Sequence, residues 1–189
     1  MPAGSASRHS GSSNARLLIG LAFAFAVLWK TISPDYLSGD FFHYTLLTDI
    51  WLEYLSQGLA GLPDGTIAAN RDSIGLLESP SGARDEVDLA STPALEALAD
   101  FMAWFGYLIE AGIALAFLLP LPPPSLWVRH ALLVAFCLAT YAVIPVGGFA
   151  GALLTMGAGL GETPRVRRLY ATGFLVVVMY ALAWQALVL

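Results

Sequence analysis

Residues 97–120, ALADFMAWFGYLIEAGIALAFLLP, decide the fold. A bilayer hydrocarbon core about 30 Å thick takes roughly 20 mostly apolar residues at about 1.5 Å of helix rise each. This stretch satisfies that length, with Asp100 near one end and Glu110 near the middle. Working outward, three more stretches meet or approach the same requirement: 17–32 (LLIGLAFAFAVLWKTI), 126–145 (LWVRHALLVAFCLATYAVIP) and 166–187 (VRRLYATGFLVVVMYALAWQAL). Trp29, Trp127, Tyr170 and Trp184 fall near span ends, where amphipathic rings favour the headgroup level. The expectation is an all-α polytopic bundle of four transmembrane helices, with residues 16–189 as one transmembrane domain and residues 1–15 as a disordered tail.

Composition agrees. Hydrophobic residues make up 57% of the 189 and charged residues 12%, with 9 Lys+Arg against 14 Asp+Glu and a net charge of −5; the mean hydropathy is +0.69. Soluble domains average about 45–50% apolar and about 25% charged residues. A disordered chain is excluded by the hydrophobicity, and nine scattered basic residues leave no footprint for nucleic acid. The single cysteine, Cys137, excludes an internal disulfide or a CxxC pair. The first apolar stretch also admits a signal-peptide reading, with Ala24-Phe25-Ala26 as a cleavage site. Because the apolar run continues through Val27-Leu28-Trp29, a retained span is preferred.

Between the first two spans, residues 62–96 hold seven acids, with Gly, Pro, Ser and Asn punctuation and no sustained apolar period. They read as an exposed polar loop. Residues 44–59 instead follow a 3.6-residue period, with Leu47, Ile50, Trp51, Tyr54, Leu55 and Gly58 on one side of a helix and Thr45, Thr48, Asp49, Glu53, Ser56 and Gln57 on the other. This predicts an amphipathic helix lying over the bundle at the interface.

Short cytoplasmic loops collect Lys and Arg. Arg8, Arg16 and Arg129 place the N-terminus inside, but four spans put Arg165, Arg167 and Arg168 outside. Residues 146–161 (VGGFAGALLTMGAGLG) offer an extra short pass, or a short re-entrant or interfacial helix begun at Pro145; with no polar turn before it, the re-entrant or interfacial helix is preferred.

Glu110 is the leading chemical candidate, because an ionisable side chain in mid-span is costly and marks a functional site by default. Ala103, Gly106, Tyr107 and Ala114 share its helix face, and such small residues let another helix come close. Two readings stand: an interhelical hydrogen bond that fixes packing, or a ligand, quinone or proton site. Asp100, Trp104 and Tyr107 form a second stripe near one end of that helix. Lys30 ends the first span and can snorkel to headgroups; Arg129 opens the third beside His130 and pairs with an acid or marks the interface. Deep paired histidines for haem, clustered metal ligands, and P-loop, GxSxG or GxGxxG motifs do not occur in the sequence.

The stretch ARLLIGLAFAFAVLWKTISPDYLSGDFF, the helix with central Glu110 that ends FLLPLPPP before Arg129, and the segments LSGDFFHYTLLTD and YAVIPVGGFAGALLTMG resemble the DoxX-like small four-helix membrane proteins and the related HTTM (horizontally transferred transmembrane) proteins. The resemblance covers most of residues 15–187. It implies an up-down four-helix bundle in a bacterial inner (plasma) membrane, where Lys30 and Glu110 match the basic residue after the first helix and the acid of the second. That class includes quinone-linked oxidoreductase subunits and partners of redox systems; this chain departs from the redox members in having no cysteine pair. The expected function is a non-enzymatic accessory subunit or partner of a membrane or redox complex, held in the lipid bilayer. The alternatives are a quinone-linked or lipid-modifying enzyme, with quinone as the cofactor the resemblance admits, and then a small transporter.

Overall fold

The computed structural model describes the backbone of residues 4–77, 87–120, 122, 126–143, 147–161 and 163–188. All regular structure among them is helical: α1 (Gly4–Ile32), α2 (Pro34–Leu37), α3 (Asp40–Thr48), a 3-10 turn (Ile50–Leu52), α4 (Glu53–Ala60), α5 (Thr66–Leu77), α6 (Pro93–Leu118), α7 (Leu126–Val143), α8 (Gly147–Leu160) and α9 (Pro164–Val188). Three stretches are long and apolar enough to cross a bilayer, Asn14–Ile32, Pro93–Leu118 and Pro164–Ala183; Leu126–Tyr141 and Gly148–Leu160 are shorter apolar helices. The helix starts have ordinary causes. Thr92 and Thr163 accept the Leu95 and Val166 amides through their hydroxyls, at 3.2 and 3.4 Å, just before Pro93 and Pro164.

The chain forms two compact units, Lys30–Tyr107 and Met1–Trp29 with Leu108–Leu189, where the sequence reading expects one domain over 16–189. The boundaries fall inside the continuous helices α1 and α6. The first helix also begins at Gly4, well upstream of the expected end of a disordered tail at residue 15. Once a long apolar helix is nucleated, adding residues at its end is cheap, so Ala and Ser upstream of Arg16 continue it.

In the unit of Met1–Trp29 and Leu108–Leu189, helix directions follow from the contacts. Phe23 of α1 meets Phe136 of α7 edge-on at 4.9 Å, and α6 passes close to both, since a Cβ at Gly20 would lie 3.3 Å from the Phe117 Cβ and one at Gly112 would lie 4.0 Å from Leu132. Helix α9 runs parallel to α7, with His130 beside Tyr170 and Tyr141 beside Tyr180. Helix α8 runs against both: Gly151 lies against Phe174, and Gly157, two turns later, lies against Tyr170. The chain therefore returns along α8, so α7 and α9 start at the same end of this bundle, as does the Arg16 end of α1. Ile19, Ile113, Phe117, Leu133, Leu153, Leu154 and Tyr170 form the innermost layer. The short helix expected over 146–161 is present as α8; Pro145 lies outside the described residues.

In the unit Lys30–Tyr107, two expectations are corrected. The reading of 62–96 as a loop fails over Thr66–Leu77, which is helix α5; residues 78–86 of that loop lie outside the described residues. Ile67, Asn70 and Ile74 recur at helical spacing, but the central member is polar, which hides the period. Asn70 is buried, donating to the Leu47 and Ala90 carbonyls, each at 3.2 Å, and accepting from the Ala90 amide at 3.0 Å. The amphipathic helix expected over 44–59 is broken at Asp49, whose carboxylate accepts the Trp51 amide at 2.9 Å. The break rotates the buried face: Leu46, Leu47, Leu52, Ser56 and Ala60 are inside, while Ile50, Trp51 and Tyr54 of the expected apolar side are exposed. Gly61, left-handed at φ 63°, ends α4 by donating to Gln57, and Leu62 donates back to Ser56.

Candidate functional site

The candidate residues divide between the two units. In Lys30–Tyr107, the Trp104 and Tyr107 rings meet edge-on at 6.1 Å, and the Tyr107 hydroxyl is 3.2 Å from the Thr31 hydroxyl near the end of α1. Lys30 carries its ammonium 4.6 Å from the centre of the Tyr36 ring, a cation–π contact. The Tyr36 hydroxyl reaches Gly106, where a Cβ would lie 2.9 Å from it. Asp100 is exposed, and its carboxylate lies against Gly39 at the start of α3. Gly39 has φ 85°, which favours glycine, and a Cβ there would collide with the Asp100 oxygen. A carboxylate at a helix N-terminus is favourable, so Asp100 has a structural task. The sequence could have shown this only through the pairing of Gly39 with an acid distant in the chain.

In the other unit, Glu110 is buried at 8% exposure, as its mid-span position requires. Arg129 is buried at 7%. Its Nε donates to the Ala116 carbonyl at 2.7 Å, and its guanidinium lies 5.4 Å from the Phe117 ring centre. Both contacts hold the side chain against the last turn of α6.

Three residues at this end of the bundle were legible only as position markers. His130 and Tyr170 are both buried and hydrogen-bonded through Nδ1 and the hydroxyl at 2.9 Å. Tyr170 is 1% exposed, and Gly157 leaves room for its ring. Arg16 lies one helical turn before Gly20, the residue that lets α1 approach Phe117 and Leu118. Arg16 Nε and Arg129 Nη2 are buried nitrogens with no hydrogen-bond partner among the described residues. Cys137 is buried in the core, and among the described residues no three His, Cys, Asp or Glu side chains converge as metal ligands.

A further opening lies in the unit Lys30–Tyr107. A cleft of about 520 Å³ is lined by Tyr44, Thr48, Asp49, Trp51, Arg71 and Ile74, among others. It runs between α3 with its following turn and α5, and the exposed rings of Tyr44 and Trp51 stand at its wall.

No family model, no curated protein and no solved structure matches this chain.

Proposed function

We propose that the protein is an integral protein of the bacterial inner membrane, of the small DoxX-like type, that serves a membrane complex as a non-enzymatic accessory subunit. The reading takes the three long apolar helices and the shorter α7 and α8 as five crossings, with α8 as a full pass. Six of the nine basic residues (Arg8, Arg16, Arg129, Arg165, Arg167 and Arg168) then fall on the N-terminal side of the membrane, which the preference of cytoplasmic segments for Lys and Arg makes the inside. Ten of the fourteen acids, from Asp35 to Asp88, fall between the first and second crossings, on the outside. With α8 as a pass, Arg165, Arg167 and Arg168 no longer oppose the remaining charges.

The observation that carries the accessory role is the exposed aromatic wall of the cleft in Lys30–Tyr107. Tyr44, Ile50 and Trp51 line it and are exposed, with exposed Phe41 and Tyr54 nearby in the chain, and rings of this kind anchor protein interfaces. A photo-crosslinking residue at Trp51, activated in intact cells, is expected to capture one membrane protein in a single discrete adduct, and Trp51→Ala to weaken that protein's co-purification. Crosslinks to lipid alone overturn the reading, and return the segment to the membrane-surface role expected for 44–59.

A further inference from the structure

We propose that Arg16 and Arg129 form a binding site for the phosphate of an anionic phospholipid headgroup at the basic end of the helix bundle. Each guanidinium presents a buried nitrogen, Arg16 Nε and Arg129 Nη2, that has no hydrogen-bond partner among the described residues. Arg129 is more than nine-tenths buried, and its orientation is fixed, with Nε on the Ala116 carbonyl and its plane by the Phe117 ring. The same Phe117 backs onto Gly20, and Arg16 lies on the Gly20 face of α1 one turn nearer the helix start. Arg129 thus meets the last turn of α6 from α7, and Arg16 lies one helical turn from the point where α1 meets the same turn.

Two like charges with unfilled donors beside apolar helices repel each other, and the buried Arg129 carries a desolvation cost as well, unless an anion bridges them. Guanidinium forks match phosphate geometry, two donors to two oxygens. Basic pockets between transmembrane helices are a recognised place for anionic headgroups. A lipid source is favoured over free phosphate by what surrounds the site: Leu17, Leu18 and Leu21 of α1, Leu115 of α6 and Trp127 and Val128 of α7 are all exposed next to it in sequence, an apolar surface for acyl chains. Of the other groups at this end, three are engaged within the protein, and Arg165 and Arg168 are exposed. His130 and Tyr170 are joined to each other, and Arg167 donates to the Gly161 carbonyl at 2.9 Å.

The site does not depend on the accessory role, and its test does not use Trp51. The full chain, purified in mild detergent, is titrated with phosphatidylglycerol, phosphatidylcholine and inorganic phosphate, and bound species are counted by native mass spectrometry. In the wild type, phosphatidylglycerol is expected to bind about tenfold more tightly than phosphatidylcholine, the scale of one charge-assisted contact. Arg129→Gln and Arg16→Gln are each expected to bring that ratio close to one, and Arg129→Lys to keep only part of it. Retention of the full preference in both Gln variants overturns the site. Saturable binding of inorganic phosphate without lipid preference, lost in the same variants, overturns the lipid source. If Arg129→Gln does not fold, Arg16→Gln, whose side chain is only half-buried, decides the outcome through the melting-temperature rise that phosphatidylglycerol gives the wild type.

Discussion

The His130 Nδ1 atom and the Tyr170 hydroxyl lie 2.9 Å apart inside the helix bundle, with their rings edge-on at 89°. The contact ties the second turns of α7 and α9, and Gly157 of α8 makes room for it. Tyr170→Phe keeps the ring and removes the hydroxyl, so it is expected to cost about 1 kcal/mol, the scale of an interhelical hydrogen bond in a membrane. Gly157→Ala drives a Cβ into the Tyr170 ring and is expected to cost about 1–3 kcal/mol as overpacking. Detergent melting temperatures check both. Combining Gly157→Ala with Tyr170→Leu is expected to cost less than the two changes summed, because the smaller side chain relieves the clash.

Five crossings with the N-terminus inside place the C-terminus outside; four place it inside. Alkaline phosphatase fused after Leu189 is therefore expected to be active, and a fluorescent protein that matures only in the cytoplasm to stay dark at the same position. The opposite pair of results removes α8 from the crossings. The geometry behind the expectation is local, since Gly157 and His130 both meet Tyr170 while Tyr141 meets Tyr180.

Trp51→Asp separates the observed fold from the amphipathic helix read in the sequence. An unbroken helix over 44–59 buries Trp51, and the charge would then destabilise the unit. With the break at Asp49, Trp51 is 49% exposed and Leu52 is 1% exposed. Trp51→Asp is expected to change the melting temperature little, within about 0.5 kcal/mol as for ordinary surface positions. Leu52→Asp is expected to prevent folding of this unit, because it buries an unpaired charge.

The long helices were legible because apolar length is written directly in the sequence: the expected spans 97–120 and 166–187 lie within about four residues of α6 and α9. What escaped depends on side chains that act against their type. Asn70 looks polar and sits in a helix core because three backbone groups satisfy it. Asp49 looks like part of a polar helix face and in fact caps a 3-10 turn. Tyr170 reaches His130 only because α8 brings the chain back, and no local period encodes a return path. The site candidates on α6 were legible as a stripe, but not the division that puts Asp100, Trp104 and Tyr107 in one unit and Glu110 in the other.

Glu110 gives the last prediction, because the two readings of it answer differently to the same pair of substitutions. It is buried in a stretch apolar and long enough to cross a bilayer, beside Ala114, also buried, one turn further along α6. If it serves packing, Glu110→Gln keeps the shape and the hydrogen-bonding capacity and is expected to melt close to the wild type. Glu110→Leu loses the polar contact and is expected to cost about 1–2 kcal/mol, the upper range for interhelical hydrogen bonds in membranes. If Glu110 passes a proton to a quinone or a solute, Glu110→Gln keeps the fold and abolishes the growth phenotype, because an amide cannot titrate. Melting temperature and growth, measured on the same strains, separate the cases. We expect Leu to destabilise, Gln to do so much less, and growth to follow stability; a folded Gln variant that fails to support growth assigns Glu110 to chemistry, and unchanged melting in both variants removes it from the packing of the bundle.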